Sequence, residues 1–105
     1  MDVRNSENLT MLADFYEFTM LDGFISTGME NKIGYYDTYF RSVPDGGGFV
    51  IAAGLGSIIE YIQNLRFEDS DIEYFKGLGM FSDKFIRYIK NFKFECDVWA
   101  VPEGT

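Results

Sequence analysis

Apolar residues recur with two different periods along this chain, and the change of period marks out its elements. Over residues 10–27, Met11, Phe15, Phe18, Asp22 and Ile25 follow helical spacing, with Asp22 the one polar break in the stripe. Asn8 or Thr10 is positioned to cap the start and Gly28 to stop the end. Residues 33–43, "IGYYDTYFRSV", are rich in Tyr, Thr and Phe and read as a strand. "PDGGG" at 44–48 is a turn, and "FVIAAG" at 49–54 is a short apolar strand, so the three predict a β-hairpin with a loop longer than two residues. Helical spacing returns at Leu55, Ile58, Ile59, Ile62 and Leu65. Ser70 and Glu73 have the form of a capping box opening a short helix that ends near Leu78–Gly79. A further helix opens at Ser82, with Phe85, Ile86 and Ile89 inward. "FKFECDVWAV" at 92–101 alternates as a strand, and "PEGT" then turns the chain.

The pattern predicts an α+β domain spanning residues 1–105. A strand followed by a Pro–Gly turn normally feeds a partner strand, and none follows. The expectation is therefore either a longer fold whose remainder lies beyond Thr105, or a last strand that pairs backward with the hairpin.

Composition narrows the chemistry more than the fold. With 47% hydrophobic and 18% aromatic residues, the chain has enough apolar material for a core, and more aromatic surface than a free-standing acidic domain of 105 residues needs. A net charge of −8 opposes binding to a phosphate backbone or an anionic membrane, so neither nucleic acid nor membrane is an expected partner. Cys96 is the only cysteine, which excludes an internal disulfide, and there is no histidine. The first ten residues are polar and lack a signal-peptide core. No apolar run approaches the roughly 18 residues of a membrane span. A cytoplasmic location is the default expectation.

No catalytic set is visible: no Ser/His/Asp group, no Cys/His pair and no metal-ligand spacing. "GLGS" at 54–57 lacks the third glycine of a dinucleotide loop, because Ile59 occupies that place. It reads as a tight strand-to-helix connection, with an anion site at the helix start left open. "PDGGG" reads as a hairpin loop, or as a lid. Arg41, beside that loop, suits bidentate phosphate recognition or a surface ion pair. Asp14 and Tyr16, two apart, share no helix face. Near the helix start, either could pack in a core or interface, or face a ligand, with Tyr16 stacking on a ring.

"NLTMLADFYEFTMLDGF", "YYDTYFRSVPDGGGFVIAAGL" and "DVWAVPEGT", in that order, resemble the N-terminal region of nicotinate phosphoribosyltransferases. Residues 66–91 add little. The resemblance implies an N-terminal α/β domain of a type II phosphoribosyltransferase. The barrel of such an enzyme, and its phosphorylated histidine, would lie past Thr105. It implies synthesis of nicotinate mononucleotide and pyrophosphate from nicotinate and phosphoribosyl pyrophosphate, with ATP hydrolysis and Mg²⁺, in NAD salvage. It also implies a homodimer in which Tyr16 stacks on the pyridine ring in the neighbouring subunit's site, with Asp14 beside it. Arg41 would approach the phosphates, and Thr19 is grouped with these residues on the substrate side. No catalytic or metal-ligating residue falls in this segment. Two other readings stand beside this one: a relative specific for nicotinamide, and a non-catalytic acidic domain that binds a partner through its aromatic surface.

Overall fold

Among the described residues, Phe18, Ile25, Ile72, Phe75, Phe85, Ile86 and Ile89 form the hydrophobic core, and they come from three helices. The structure, a computed structural model, describes residues 8–105. Helix α1 is Phe15–Ser26, α2 is Leu55–Gln63, α3 is Asp69–Leu78 and α4 is Asp83–Lys90. Helices α1 and α3 both pack on α4. At their junction Phe75 meets Phe18, Phe81 and Phe85 with ring centroids 5.1, 5.0 and 5.2 Å apart, and Phe81 stacks on Phe85 at 4.5 Å. Edge and offset contacts of this kind add to the hydrophobic gain of burial.

Each helix starts where a side chain supplies what the backbone lacks. Helix α1 begins at Phe15, five residues later than the expected start at residue 10. Asp14 is its N-cap, and the Asp14 amide donates to the Glu17 carboxylate at 3.1 Å. Asn8 and Thr10 act elsewhere. The Thr10 hydroxyl accepts the Arg66 amide at 3.0 Å and donates to Asn8 Oδ1 at 2.6 Å, while the Asn8 side-chain amide donates to the Arg66 carbonyl at 2.9 Å. This clasp closes the chain ahead of α1 onto the α2–α3 connection. At the other end of α1, Gly28 adopts φ 73°, and the Met29 and Gly28 amides donate to the carbonyls of Phe24 and Ile25. That is a Schellman stop, which favours glycine because the left-handed conformation carries no Cβ penalty there.

Helix α3 opens earlier than the Ser70–Glu73 box predicts. Glu68 is its N-cap, and the Glu68 amide donates to Asp71 Oδ2 at 2.9 Å. Ser82 caps α4 as expected, accepting the Phe85 amide at 3.2 Å. Its hydroxyl also donates to Asp22 Oδ1 at 2.5 Å. This bond accounts for the polar break in the α1 stripe, because Asp22 pins the start of α4 to α1.

The strands are the principal correction. No strand is formed among the described residues, so the expected α+β pattern holds only in its helices. Residues 33–43 and 92–101 run extended without ladder bonds, and "PDGGG" contains a 3₁₀ turn, Pro44–Gly46, rather than closing a hairpin. Strand-forming residues stabilise a sheet only where a second strand takes up their amides and a packed face covers their side chains. Here Ile33, Tyr35, Tyr36 and Trp99 are almost fully exposed. The backward pairing of the last segment reduces to two bonds, the Ala52 amide to the Thr105 carbonyl and the Gly104 amide to the Ala52 carbonyl, both 2.8 Å. A Cα radius of gyration of 16.6 Å, against about 13 Å for a packed domain of this length, reflects these arms.

Candidate functional site

Tyr16 lies in the first turn of α1, immediately after the capped start. The residues around it go inward: Phe18 is buried, and Phe15 meets Phe81 edge-on at 5.9 Å. Tyr16 points the other way and is 59% exposed. No ring contact holds it among the described residues. A tyrosine on a fixed turn, with a free face and a polar tip, is available to stack on a flat ligand.

Its sequence neighbours take simpler places. Asp14 serves the helix start, where a carboxylate is also favoured by the helix dipole. The Thr19 hydroxyl is used within the helix, donating to the Tyr16 carbonyl at 3.0 Å. It fixes the turn that carries Tyr16. Arg41 sits on the exposed extended segment just ahead of Pro44–Gly46. Neither of the two ion pairs among the described residues, Arg66–Glu68 and Lys76–Glu73, involves it. The surface salt bridge that its position suggested is therefore not made within the described residues, and its guanidinium remains free to meet an anion. No hydrogen bond or ion pair among these residues joins Arg41 to Tyr16, so the structure groups Asp14, Tyr16 and Thr19 on α1 and leaves Arg41 on its own segment.

The "GLGS" connection has an occupant that the sequence did not reveal. Gly54 is the N-cap of α2 at φ 104°, and glycine has no side chain to accept the first amides. Glu103 supplies it from 49 residues away: Oε1 accepts the Gly54 amide at 2.8 Å and Oε2 the Leu55 amide at 3.0 Å. The open anion site at this helix start is thus filled by the chain's own carboxylate, and "PEGT" is a cap as well as a turn. The signal available in the sequence was the glycine at an N-cap, which leaves orphan donors in need of an acceptor. Glu103→Ala is expected to cost about 1 kcal/mol, the usual worth of a cap. It should also speed amide exchange at Gly54 and Leu55 while leaving Phe85 unchanged, and hydrogen exchange followed by NMR checks both.

Near the start of α1, burial and the Glu17 carboxylate raise the Tyr61 phenol above its ordinary pKa, burial having the larger effect. Tyr61 therefore stays neutral beside Glu17 and adds no charge to this end of α1. Among the described residues no group of three or more Cys, Asp or Glu could hold a metal ion, and no helix is long and apolar enough to cross a membrane.

Compared with known proteins, residues 11–105 match the family model described as the nicotinate phosphoribosyltransferase (NAPRTase) N-terminal domain. The chain is 38% identical over 95 residues to nicotinate phosphoribosyltransferase pncB2 of Mycobacterium tuberculosis, covering 90% of this chain and 20% of that protein. It is 30% identical over 97 residues to nicotinate phosphoribosyltransferase 2 of Arabidopsis thaliana, with 90% and 17% covered. It is 29% identical over 98 residues to the nicotinate phosphoribosyltransferase of Bacillus subtilis, with 93% and 20% covered. The chain thus spans about a fifth of the length of these relatives. No solved structure matches it.

Proposed function

Because the chain belongs to the nicotinate phosphoribosyltransferase family, carrying its N-terminal domain, we propose that it works as the first part of an enzyme that makes nicotinate mononucleotide. The observation that carries this reading is the match over residues 11–105, which includes the α1 turn that presents Tyr16 to solvent.

In the proposed reaction the pyridine nitrogen of nicotinate bonds to C1 of phosphoribosyl pyrophosphate. The bond from C1 to the pyrophosphate oxygen breaks, and its electron pair leaves with pyrophosphate. Positive charge develops on the ribosyl ring as the leaving group departs, so positioning and charge stabilisation carry the catalysis. Tyr16 holds the pyridine ring by stacking and Arg41 approaches the phosphates. Asp14 and Thr19, on the same side of the substrate, hold the turn that aims Tyr16. ATP and Mg²⁺ are reagents of the whole enzyme.

A homodimer and a cytoplasmic location belong to the same proposal. The support for an assembly is the apolar surface outside the core: Tyr35 is 94% exposed and Trp99 95%, and Phe40 and Phe49 are also in water. Patches of this kind are covered in a working protein. The extended segments then find their ladder partners in a second copy or in the remainder of the enzyme. Substrate selectivity tests the reading. With the enzyme purified from its source, replacing nicotinate by nicotinamide at equal concentration is expected to cut turnover by roughly 100-fold, about 2.7 kcal/mol of discrimination. Equal or faster turnover of nicotinamide would overturn the nicotinate assignment.

A further inference from the structure

The exposed ring of Tyr16 is carried by a backbone that is anchored on both flanks. One residue before it, Phe15 meets Phe81 edge-on at 5.9 Å. Two residues after it, Phe18 is buried, and its ring lies 5.1 Å from that of Phe75. Between these anchors the chain enters α1, and the first amides of a helix have no partner within it. Residues 14–17 close on themselves instead. The Asp14 amide donates to Glu17 Oε2 at 3.1 Å, and the Glu17 amide donates to the Asp14 carbonyl at 3.0 Å. Tyr16 lies inside the small loop that these two bonds complete.

Only the first of the two bonds depends on a side chain. Glu17 is exposed, and its carboxylate takes part in neither ion pair among the described residues, Arg66–Glu68 and Lys76–Glu73. Tyr61 of α2 stands beside it, its phenol raised above the ordinary pKa by burial first and by the Glu17 charge second. The carboxylate thus faces both the turn that it closes and a second helix.

We propose that Glu17 is a positioning residue for the pyridine ring: by closing the 14–17 turn, it sets the direction in which Tyr16 presents its face. This role rests on the reading of Tyr16 as the stacking residue. Stacking gains most at an offset, defined spacing of the two rings. A turn that frays lets the Tyr16 ring sample orientations that do not stack, and the ordering must then be done on binding, which weakens it. Glutamate suits this place because the third helical position reaches back to the N-cap amide, and glutamine reaches it equally well.

The test is a double-mutant cycle on the full-length enzyme, read by steady-state kinetics. Glu17→Ala is expected to raise the KM for nicotinate by roughly fivefold, with kcat and the KM for phosphoribosyl pyrophosphate nearly unchanged. Glu17→Gln removes the charge but keeps an acceptor for the Asp14 amide, so its KM should stay within about twofold of the unsubstituted enzyme. Added to Tyr16→Ala, Glu17→Ala should change the KM by less than about twofold, because a residue that acts through Tyr16 then has nothing left to aim. Glu17→Leu, which also lacks an acceptor, is the second variant and should behave as Glu17→Ala. Glu17 is exposed and the core contacts of Phe18 are untouched, so the variants keep the fold, which circular dichroism verifies. Glu73→Ala on α3 should leave the KM unchanged. An unchanged KM in Glu17→Ala, a Glu17→Gln enzyme as impaired as Glu17→Ala, or an undiminished further loss on top of Tyr16→Ala would each overturn the proposal. The two readings fail separately. If Tyr16→Ala raises the KM and Glu17→Ala does not, the stacking role stands and the positioning role falls; if Tyr16→Ala changes nothing, both fall.

Discussion

Phe85→Ala is expected to remove most of the folding stability of this chain. The ring is fully buried, stacks on Phe81 and meets Phe75 edge-on, so its loss opens a cavity at the point where α3 and α4 join. Truncating a buried phenylalanine costs about 3–5 kcal/mol, while whole domains are stable by about 5–15. A chain of 105 residues whose largest fully buried side chains, among the described residues, are Phe75, Phe85 and Ile89 sits at the lower end of that range. Phe15→Ala, at a half-exposed position of similar chemistry, should cost about 1 kcal/mol or less, since little apolar area is lost and the site can collapse. Urea unfolding of the two variants measures the contrast. Similar costs for both would mean that the aromatic cluster is not where the stability resides.

Tyr16→Ala in the full-length enzyme should raise the KM for nicotinate by roughly tenfold, with the KM for phosphoribosyl pyrophosphate nearly unchanged. A ring-on-ring contact is worth about 0.5–1.5 kcal/mol beyond burial, and tenfold corresponds to about 1.4. Tyr16→Phe keeps the face of the ring and should retain most of the affinity, so the pair separates stacking from hydrogen bonding through the phenol. The change should leave folding intact, because Tyr16 is largely exposed and has no ring partner among the described residues. A functional loss would then reflect the site and not the fold. Steady-state kinetics with each substrate varied in turn checks the split. An unchanged nicotinate KM would remove Tyr16 from the site.

The helices were legible in the sequence because each carries its own signal. The Ser82 cap with Phe85, Ile86 and Ile89 at helical spacing describes α4 almost residue for residue. Gly28 and Gly79 mark the ends of α1 and α3 through their left-handed conformation. Starts were misplaced where two acceptors competed. Thr10 is a good cap by type, yet its hydroxyl is drawn to the Arg66 amide, and Asp14 takes the role instead. Ser70 likewise gives way to Glu68, whose amide is matched by Asp71.

The strands were over-read for a different physical reason. Tyr, Thr and Phe at 33–43 report a preference for a covered, half-buried sheet, and that preference is realised only where a partner is present. Without one among the described residues, the same sequence lies extended and exposed. Contacts distant in sequence were not legible at all. The Glu103 bonds to Gly54 and Leu55, and the Asp22 bond to Ser82, join residues 48 to 60 positions apart, and no local pattern announces them. Of the candidate site, the pattern gave Tyr16 and Arg41 their residue types but not their settings. The structure adds that Tyr16 is exposed on a capped turn, whereas Asp14 and Thr19 are engaged in building that turn.

The most direct measurement of the central claim is product formation by the polypeptide purified from its natural source. Nicotinate, phosphoribosyl pyrophosphate, ATP and Mg²⁺ are supplied, and nicotinate mononucleotide is quantified against a reaction lacking phosphoribosyl pyrophosphate. The account predicts nicotinate mononucleotide and pyrophosphate in equal amounts, dependent on both substrates. A folded preparation that forms neither would contradict it, and would leave the chain as an acidic binding domain without the chemistry of its family.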